Sequence, residues 1–449
     1  MTRTHNIILA VILLLALGLR LAVAWTESPL APYDRDAGGD EWWYLEYGFR
    51  QVVDEHMEPL ASAPLYLLFV GSVRYTFQPE RVEKADRHVI PAPPEGGLRL
   101  KSVPGAPSPM TVRVVQVIQA LLSTASVYFV YRVSWRLADD PRAGLVAAAV
   151  TATSVALIVT AVDVMTETLY IFFLVAGIDA YIEWVVGAIG GQRPMVMGAL
   201  VGALFGLATL TRAVALLFPL GILFHAILVM LVDWRRGERS PLVGRGVAVM
   251  LAVYIAVCST WTVYYYQRWG EVVIGAKGLT AFFYFGASDG WQGPAAEDEA
   301  LGAVWTDPVD DDDFSAEGQA VVSSDPLGWL TRRTQDLAGA YAQPYGTVSF
   351  PGESIRAGAE SWWRGDRSLA GLVGLLQTDG FAPKLVIYLA HYGGIMLGLI
   401  GVVLSVGRWR ASLVVVGFIA YVTLLHLVLL ALPRYLFPTL PLWWALGGV

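Results

Sequence analysis

The sequence predicts an all-α protein that threads a membrane many times, and three observations carry that prediction. Of its 449 residues, 55% are hydrophobic and 15% are charged, against about 25% charged in ordinary soluble domains. The apolar residues fall in repeated runs, most of them about as long as the ~20 residues a helix needs to cross hydrocarbon. Arginines gather in the short loops that fall on one side, while the long segment 267–383 on the other side carries an excess of acids. A membrane barrel would instead show short alternating strands, and none dominate.

The first run, residues 7–25, is long enough to span and opens the chain as its own unit, 1–25. Arg3 precedes it, so a cleaved signal peptide is the alternative. The length of the run, Arg20 within it, and the lack of a small-x-small cleavage site favour an uncleaved span. Arg20 either snorkels to the interface or faces a polar cavity. Residues 26–110 read as a first external loop, rich in proline and mixed in charge. Within it, 63–77 is apolar but short, which fits an interfacial or re-entrant helix. Further spans are expected at 114–131, 144–161, 168–186, 195–210, 213–232 and 247–265, forming a bundle over 111–266. The last are expected at 385–406, 413–432 and from 435 onward, in a C-terminal unit 384–449 that stops within its last span. That makes about ten in all. The intervening 267–383 is a second external segment, forming a small extracytoplasmic domain with a clear excess of acids. Four adjacent aspartates, 310–313, can attract a cation, but a solvated loop tip is the plainer reading. No internal repeat is visible, unlike transporters built from inverted repeats.

Orientation follows from the short loops. Arg132, Arg136 and Arg142 share one, Arg193 sits in the next on that side, Arg235, Arg236, Arg239 and Arg245 share a third, and Arg408 and Arg410 a fourth. Counting spans puts all of them, with Arg3, on the cytoplasmic face of a multi-pass protein of the plasma (inner) membrane. Membrane lipids are its surroundings, and no nucleic-acid partner is implied. The single cysteine, Cys258, has no intrachain partner and so leaves the redox compartment unread.

The stretch Gly38-Gly39-Asp40-Glu41-Trp42-Trp43-Tyr44 lies where the first span leaves the membrane. The bland reading is a solvated acidic loop, with Tyr33, Trp42, Trp43, Tyr44 and Tyr47 as an interfacial belt or a sugar platform. Most other charges near span ends fall on the same external side: Arg20, Arg113, Asp163, Glu167, Arg212 and Arg434. Charges inside a membrane cost a few kcal/mol or more and usually line a functional cavity. Arginines grip phosphate with forked hydrogen bonds, and a carboxylate can take a proton from an attacking hydroxyl. Glu167, at the start of its span, also has a simpler reading as a capping charge, with Asp163 four residues earlier. The six histidines show no metal-ligand spacing, and His225 reads as a packed residue.

These residues resemble, in order, those of polytopic GT-C glycosyltransferases, nearest the protein O-mannosyltransferase and lipid A aminoarabinose transferase group (glycosyltransferase family 39). The elements are Leu17-Gly18-Leu19-Arg20-Leu21, Asp40-Glu41-x-x-Tyr44, Pro64-Leu65-Tyr66, Arg113-Val114-Val115-Gln116 and Thr166-Glu167-Thr168-Leu169. Gly206 to Arg212, Trp261 with 270–286, and Pro433-Arg434-Tyr435-Leu436-Phe437-Pro438 complete the series. Two departures are Ser62-Ala63, where the family usually has a second proline, and Tyr264-Tyr265, where it often has Arg-Asn. The resemblance implies a GT-C-like fold and transfer of a sugar from a polyprenyl-phosphate donor to a hydroxyl of a protein, lipid or glycan in the cell envelope. It implies Asp40 as general base with Glu41 beside it, and Arg212 and Arg434, with Arg113 and Arg20, on the donor phosphate. Tyr44, Asp163, Glu167 and Tyr435 are then supporting residues. The oligosaccharyltransferase branch of GT-C enzymes uses a divalent cation, magnesium or manganese. The mannosyltransferase-like branch need not, and no metal ligand is assigned.

A transporter or lipid flippase is the rival class, with Asp179 and Glu183 as its best support, since both lean to the cytoplasmic side of a span. A phosphoethanolamine-type transferase would want a nucleophilic threonine or a metal set in a soluble domain, which the sequence does not offer. A structural subunit keeping only the fold is the third alternative.

Overall fold

Long apolar runs punctuated by proline, serine and glycine give helices whose starts and stops can be traced to single residues. The computed structural model describes residues 3–26, 40–53, 62–78, 107–187, 193–238, 240, 242, 244–288, 311–365 and 367–449. Among these, every regular element is helical. The first span, α1 (Arg3–Thr26), is followed by two short helices, α2 (Asp40–Val53) and α3 (Pro64–Phe77). The bundle continues with α4 (Pro109–Ala138), α5 (Pro141–Thr153), α6 (Val155–Thr160), α7 (Thr166–Val186), α8 (Pro194–Thr211), α9 (Phe218–Arg236) and α10 (Gly244–Trp269). A peripheral series follows: α11 (Leu279–Ala287), α12 (Asp311–Ser324), α13 (Pro326–Ala342), α14 (Ile355–Arg364) and α15 (Leu369–Leu376). Then come α16 (Phe381–Leu404), α17 (Trp409–Val428), α18 (Pro433–Leu436) and α19 (Leu440–Gly447).

Among the described residues, eight helices are long and apolar enough to cross a membrane: α1, α4, α7, α8, α10, α16, and α9 and α17 with their preceding 3-10 turns. The chain is therefore a multi-pass membrane protein. The two other predicted spans are helical but broken. Residues 144–161 divide into α5 and α6 because Ser154 is extended (ψ 113°) and its hydroxyl accepts the Leu157 N–H at 3.3 Å, capping the second helix. The stretch from 435 onward divides into α18, a 3-10 turn over Phe437–Thr439, and α19, with Pro433, Pro438 and Pro441 each removing a helical donor. Residues 63–77 fold as the short helix α3, 14 residues long.

The centre of the bundle is α7, with 78% of its span buried, whereas α1 and α16 at the rim are 22% and 28% buried. Tyr170, Leu174, Ile178, Tyr181 and Trp184 of α7 have no exposure. Against it lies α8, whose other face carries Gly198, Gly202 and Gly206 at four-residue spacing. A Cβ at Gly198 or Gly202 would overlap the carbonyls of Gly246 or Met250 in α10, and one at Gly206 would press on Val257. Without a water-driven force between helices in lipid, such close backbone approach is what binds them. The short helices α2 and α3 cross in the same way, Gly48 against Gly71.

The rival transporter reading rested on Asp179 and Glu183. Arg132 Nε lies 3.1 Å from Asp179, and Arg136 pairs with both acids, so two arginines of α4 neutralise two acids of α7. A closed ion-pair network of this kind ties two spans together and leaves no unpaired charge to carry a substrate. His225 is packed as expected, its Nδ1 2.8 Å from the Tyr181 hydroxyl.

Two outcomes follow. Gly202→Leu overpacks the α8–α10 seam and costs about 1–3 kcal/mol, read as a lower melting temperature in detergent. Asp179→Ala leaves Arg132 and Arg136 short of a partner and costs about 3 kcal/mol, measured in the same way.

Candidate active site

At the end of the bundle opposite the arginine-rich loops, five pieces of chain converge. They are the start of α2, the turn 161–165, the start of α7, the residue after α8, and the start of α18. Glu167, in the first turn of α7, has no solvent exposure. A carboxylate is favoured there by the helix dipole, but burying it requires cations. Arg212 supplies one: it follows α8 in extended backbone and donates from Nη1 to Glu167 Oε1 at 2.7 Å. Arg434 supplies the other, donating from Nε to the same oxygen and from Nη1 to Asp40 Oδ2. The result is a continuous chain Arg212–Glu167–Arg434–Asp40, in which exposure rises from Glu167 outward to Asp40. The Glu167 side chain is 0% exposed, Arg434 23% and Asp40 54%.

The supports of this chain can each be traced. Arg212 lies between two rings, 6.0 Å from the centroid of Tyr170 and 5.6 Å from that of Tyr435, and both contribute cation–π attraction. Tyr435 in turn stacks on His426 at 5.4 Å. Glu41 Oε1 accepts the Val164 N–H at 3.0 Å and so fixes the start of α2 to the turn 161–165. That turn is held from α4: Gln119 Nε2 donates to the carbonyls of Ala161 and Asp163 at 3.2 and 2.7 Å, and Gln116 Nε2 to that of Val162 at 3.2 Å. Tyr66 of α3 completes the connection by donating to Gln119 Oε1 at 2.6 Å. Tyr44 packs edge-on to Tyr66 at 5.0 Å, and burial pushes its phenol up to about 12, so it stays a neutral donor through the physiological range.

Not every predicted residue joins the cluster. Arg20, assigned to the donor phosphate by resemblance, is fully buried among α1, α4 and α5. It donates to Ser123 Oγ at 2.7 Å and to the carbonyls of Ala16, Ala152 and Thr151 at 3.0, 3.1 and 3.4 Å. Two of those carbonyls belong to the last turn of α5, which lost its helical donors when the span broke at Ser154. Arg20 satisfies the break. Arg113 donates to Gln116 Oε1 at 3.3 Å and to the Trp25 carbonyl at 3.4 Å, tying the end of α1 to α4. Asp163 is half-buried in the turn, and its carbonyl serves Gln119. Among the aromatics, Trp43 stacks on Tyr47 at 5.1 Å and both pack on Leu67 of α3. Gly38, Gly39, Tyr33, the Trp42 side chain, Trp291 and Trp305 lie outside the described residues, as do Asp310 and the side chains of Asp311 to Asp313.

Gln119, Tyr170 and Arg333 of the site's framework escaped sequence reasoning. Arg333 of α13 is 1% exposed and donates to the carbonyls of Leu427, His426 and Leu429, at 3.2 and 3.0 Å for the first two. These carbonyls end α17, five to eight residues before Arg434, so the peripheral segment holds the break that presents Arg434. An Arg332-Arg333 pair in an otherwise acidic segment was the only signal for Arg333.

Glu167 Oε1 and Asp40 Oδ2 face guanidinium groups, whose positive charge opposes a divalent ion at those two oxygens. Among the described residues no group of three or more His, Cys, Asp or Glu side chains gathers.

Comparison with known structures places the architecture. The chain is similar to the Archaeoglobus fulgidus oligosaccharyltransferase in its apo form, with a TM-score of 0.53 and 13% identity over 99% of this chain and 50% of that one. It matches equally the archaeal oligosaccharyltransferase AglB from Archaeoglobus fulgidus in complex with an inhibitory peptide and a dolichol-phosphate (TM-score 0.53, 12% identity, 99% and 50%). The complex of the Archaeoglobus fulgidus enzyme with zinc and sulfate gives 0.52 and 13%, over 98% and 48%. The chain thus spans about half the length of these relatives, and the fold it shares with them is the GT-C fold. No family model matches the sequence, and no curated protein matches it.

Removing the charge at the centre of the cluster tests its structural part. Glu167→Gln leaves Arg212 and Arg434 facing a neutral amide, and the expected cost is about 3 kcal/mol. The readout is thermal unfolding in detergent, with Glu167→Asp retaining more stability than Glu167→Gln.

Proposed function

We propose that this chain is a membrane glycosyltransferase that moves a sugar from a polyprenyl-phosphate donor to an acceptor hydroxyl at the extracytoplasmic end of the bundle. The observation that carries the proposal is the chain Arg212–Glu167–Arg434–Asp40 at one mouth of a GT-C fold. The dolichol-phosphate in the complex of the archaeal oligosaccharyltransferase supports a lipid-linked donor. The arginine-rich loops at the far end support the orientation.

The reaction can be derived from charge balance. Two guanidiniums and two carboxylates leave the empty cluster neutral. An incoming donor phosphate competes with Asp40 for Arg434, engages Arg212 and Arg434 through forked hydrogen bonds, and releases Asp40. Asp40, exposed and anionic, then accepts the proton of the acceptor hydroxyl as that oxygen bonds to the anomeric carbon. The bond from this carbon to the phosphate oxygen breaks, its electron pair leaves with the lipid phosphate, and the anomeric configuration inverts. Proton transfer leaves two guanidiniums against Glu167 alone, so a net positive charge develops as the phosphate gains a negative one. Stabilisation that grows toward the transition state in this way raises the rate of the chemical step. Glu167 acts as a positioning residue, keeping both guanidiniums at the mouth.

Purified protein in nanodiscs, offered a panel of radiolabelled polyprenyl-phosphate sugars, should turn over at least one; turnover of none would overturn the proposal. With that donor, Asp40→Asn is expected to lower the rate about 10²–10⁴-fold while donor binding and the melting temperature persist. Unchanged turnover would remove Asp40 as base.

A further inference from the structure

The segment between residues 351 and 380 leaves and rejoins the bundle at one point, the first turn of α16. There Lys384, 2% exposed, donates from Nζ to the carbonyls of Pro351, Gly352 and Glu353 at 2.8, 2.6 and 3.0 Å. All three ammonium donors are thereby used. The two stems meet backbone to backbone: a Cβ at Gly352 would overlap the Asp379 carbonyl, and one at Gly380 would come within 2.5 Å of the Pro351 carbonyl. Both glycines have positive φ, 82° and 70°, which is what lets the stems close so tightly. The base of the projection is therefore fixed to α16.

Beyond that base, α14 and α15 form a hairpin. Trp362 Nε1 donates to the Ser368 carbonyl at 2.9 Å, and Leu375 lies directly over Gly358. Neither helix has a buried residue. α15 reads Leu-Ala-Gly-Leu-Val-Gly-Leu-Leu, without one polar side chain. Leu369, Val373 and Leu376, at i, i+4 and i+7, make one stripe that is 81%, 49% and 53% exposed. Trp363 beside it is 61% exposed, with the Arg367 guanidinium 4.9 Å from its ring.

Three features say what covers this stripe. Four residues after α15 the chain enters α16, a membrane-crossing helix whose Leu385, Val386 and Leu389 are also exposed, so the Lys384 peg sets both surfaces side by side. At eight residues, or roughly 12 Å, α15 is too short to cross the hydrocarbon and suits lying in its boundary. Trp363, Arg364 and Arg367 flank the stripe with the side chains that favour the bilayer interface. We propose that helices α14 and α15 form an interfacial anchor, seated in the lipid leaflet at the site end of the bundle with Leu369, Val373 and Leu376 among the acyl chains. This rests on the multi-pass architecture and is independent of the proposed transfer activity.

The test uses the full chain in phospholipid nanodiscs with its single cysteine replaced (Cys258→Ser) and one environment-sensitive fluorophore at Val373→Cys. Leu397→Cys, an exposed position well inside the length of α16, is the membrane reference. Nitroxide-bearing lipids should quench position 373, more strongly with the nitroxide near the headgroup than near the chain end, and position 397 should show the reverse order. A probe at 373 that neither lipid quenches overturns the proposal, whether aqueous iodide reaches it (an open surface) or not (a covering by protein). Leu369→Cys is a second site on the same stripe, so failure of one variant to fold leaves the measurement intact.

Discussion

One buried carboxylate governs the functional end of this molecule. Glu167 sits without solvent at the head of α7, the most enclosed of the membrane-length helices. A lone charge there would cost several kcal/mol even after relaxation. The protein offsets that cost by bringing in two guanidiniums from chain positions 212 and 434. Neither arginine lies inside a regular helix of any length; Arg212 follows the end of α8, and Arg434 is the second residue of a four-residue helix. Ends of this kind let a long side chain turn into the bundle mouth, and Glu167 is what they turn toward. Asp40 then completes the chain on its solvent side.

The same physics recurs wherever a span is interrupted. A broken helix leaves carbonyls without donors, and in lipid no water replaces them. Arg20 takes up those of α5 where it stops before Ser154, Arg333 those of α17 ahead of α18, and Lys384 those of the stem beside α16. Each is a cation buried to within a few per cent, and each serves several carbonyls at once. In this fold a buried basic side chain is therefore more often a clamp on interrupted backbone than a ligand-binding group. The distinction lies in the partners: Arg212 and Arg434 bond to carboxylates, the outermost of which, Asp40, is half-exposed, whereas Arg20 is wholly enclosed among carbonyls and a serine hydroxyl.

The two ends of the bundle use ion pairs differently. At the arginine-rich end, Arg132 and Arg136 meet Asp179 and Glu183 in a closed network, and Arg410 meets Asp233, a pairing that joins α17 to α9. These contacts lock helices. At the opposite end the ion pairs open outward to a half-exposed Asp40, so the same chemistry is available to an incoming molecule.

Much of this was legible in the sequence, because membrane energetics penalise misplaced charge so heavily. Long apolar runs fixed the helices, the arginine-rich loops fixed which ends lie together, and the grouping of Asp40, Glu167, Arg212 and Arg434 at one mouth followed from that arithmetic. Three matters were decided only by tertiary structure. Hydropathy is an average over a window, so it could not register that one serine at 154 and three prolines after 432 break two apparent spans. It could not separate Arg20 from Arg434, since both are arginines near a span end, and only the neighbouring backbone determines whether carbonyls or carboxylates meet them. Nor could it find Arg333 or Lys384, whose roles depend on which distant carbonyls the packing leaves unpaired. At Gly38 to Tyr44, the sequence read an acidic, aromatic loop; the fold joined Asp40 to Arg434 and Glu41 to the Val164 amide, because two adjacent side chains on one helix must face different neighbours.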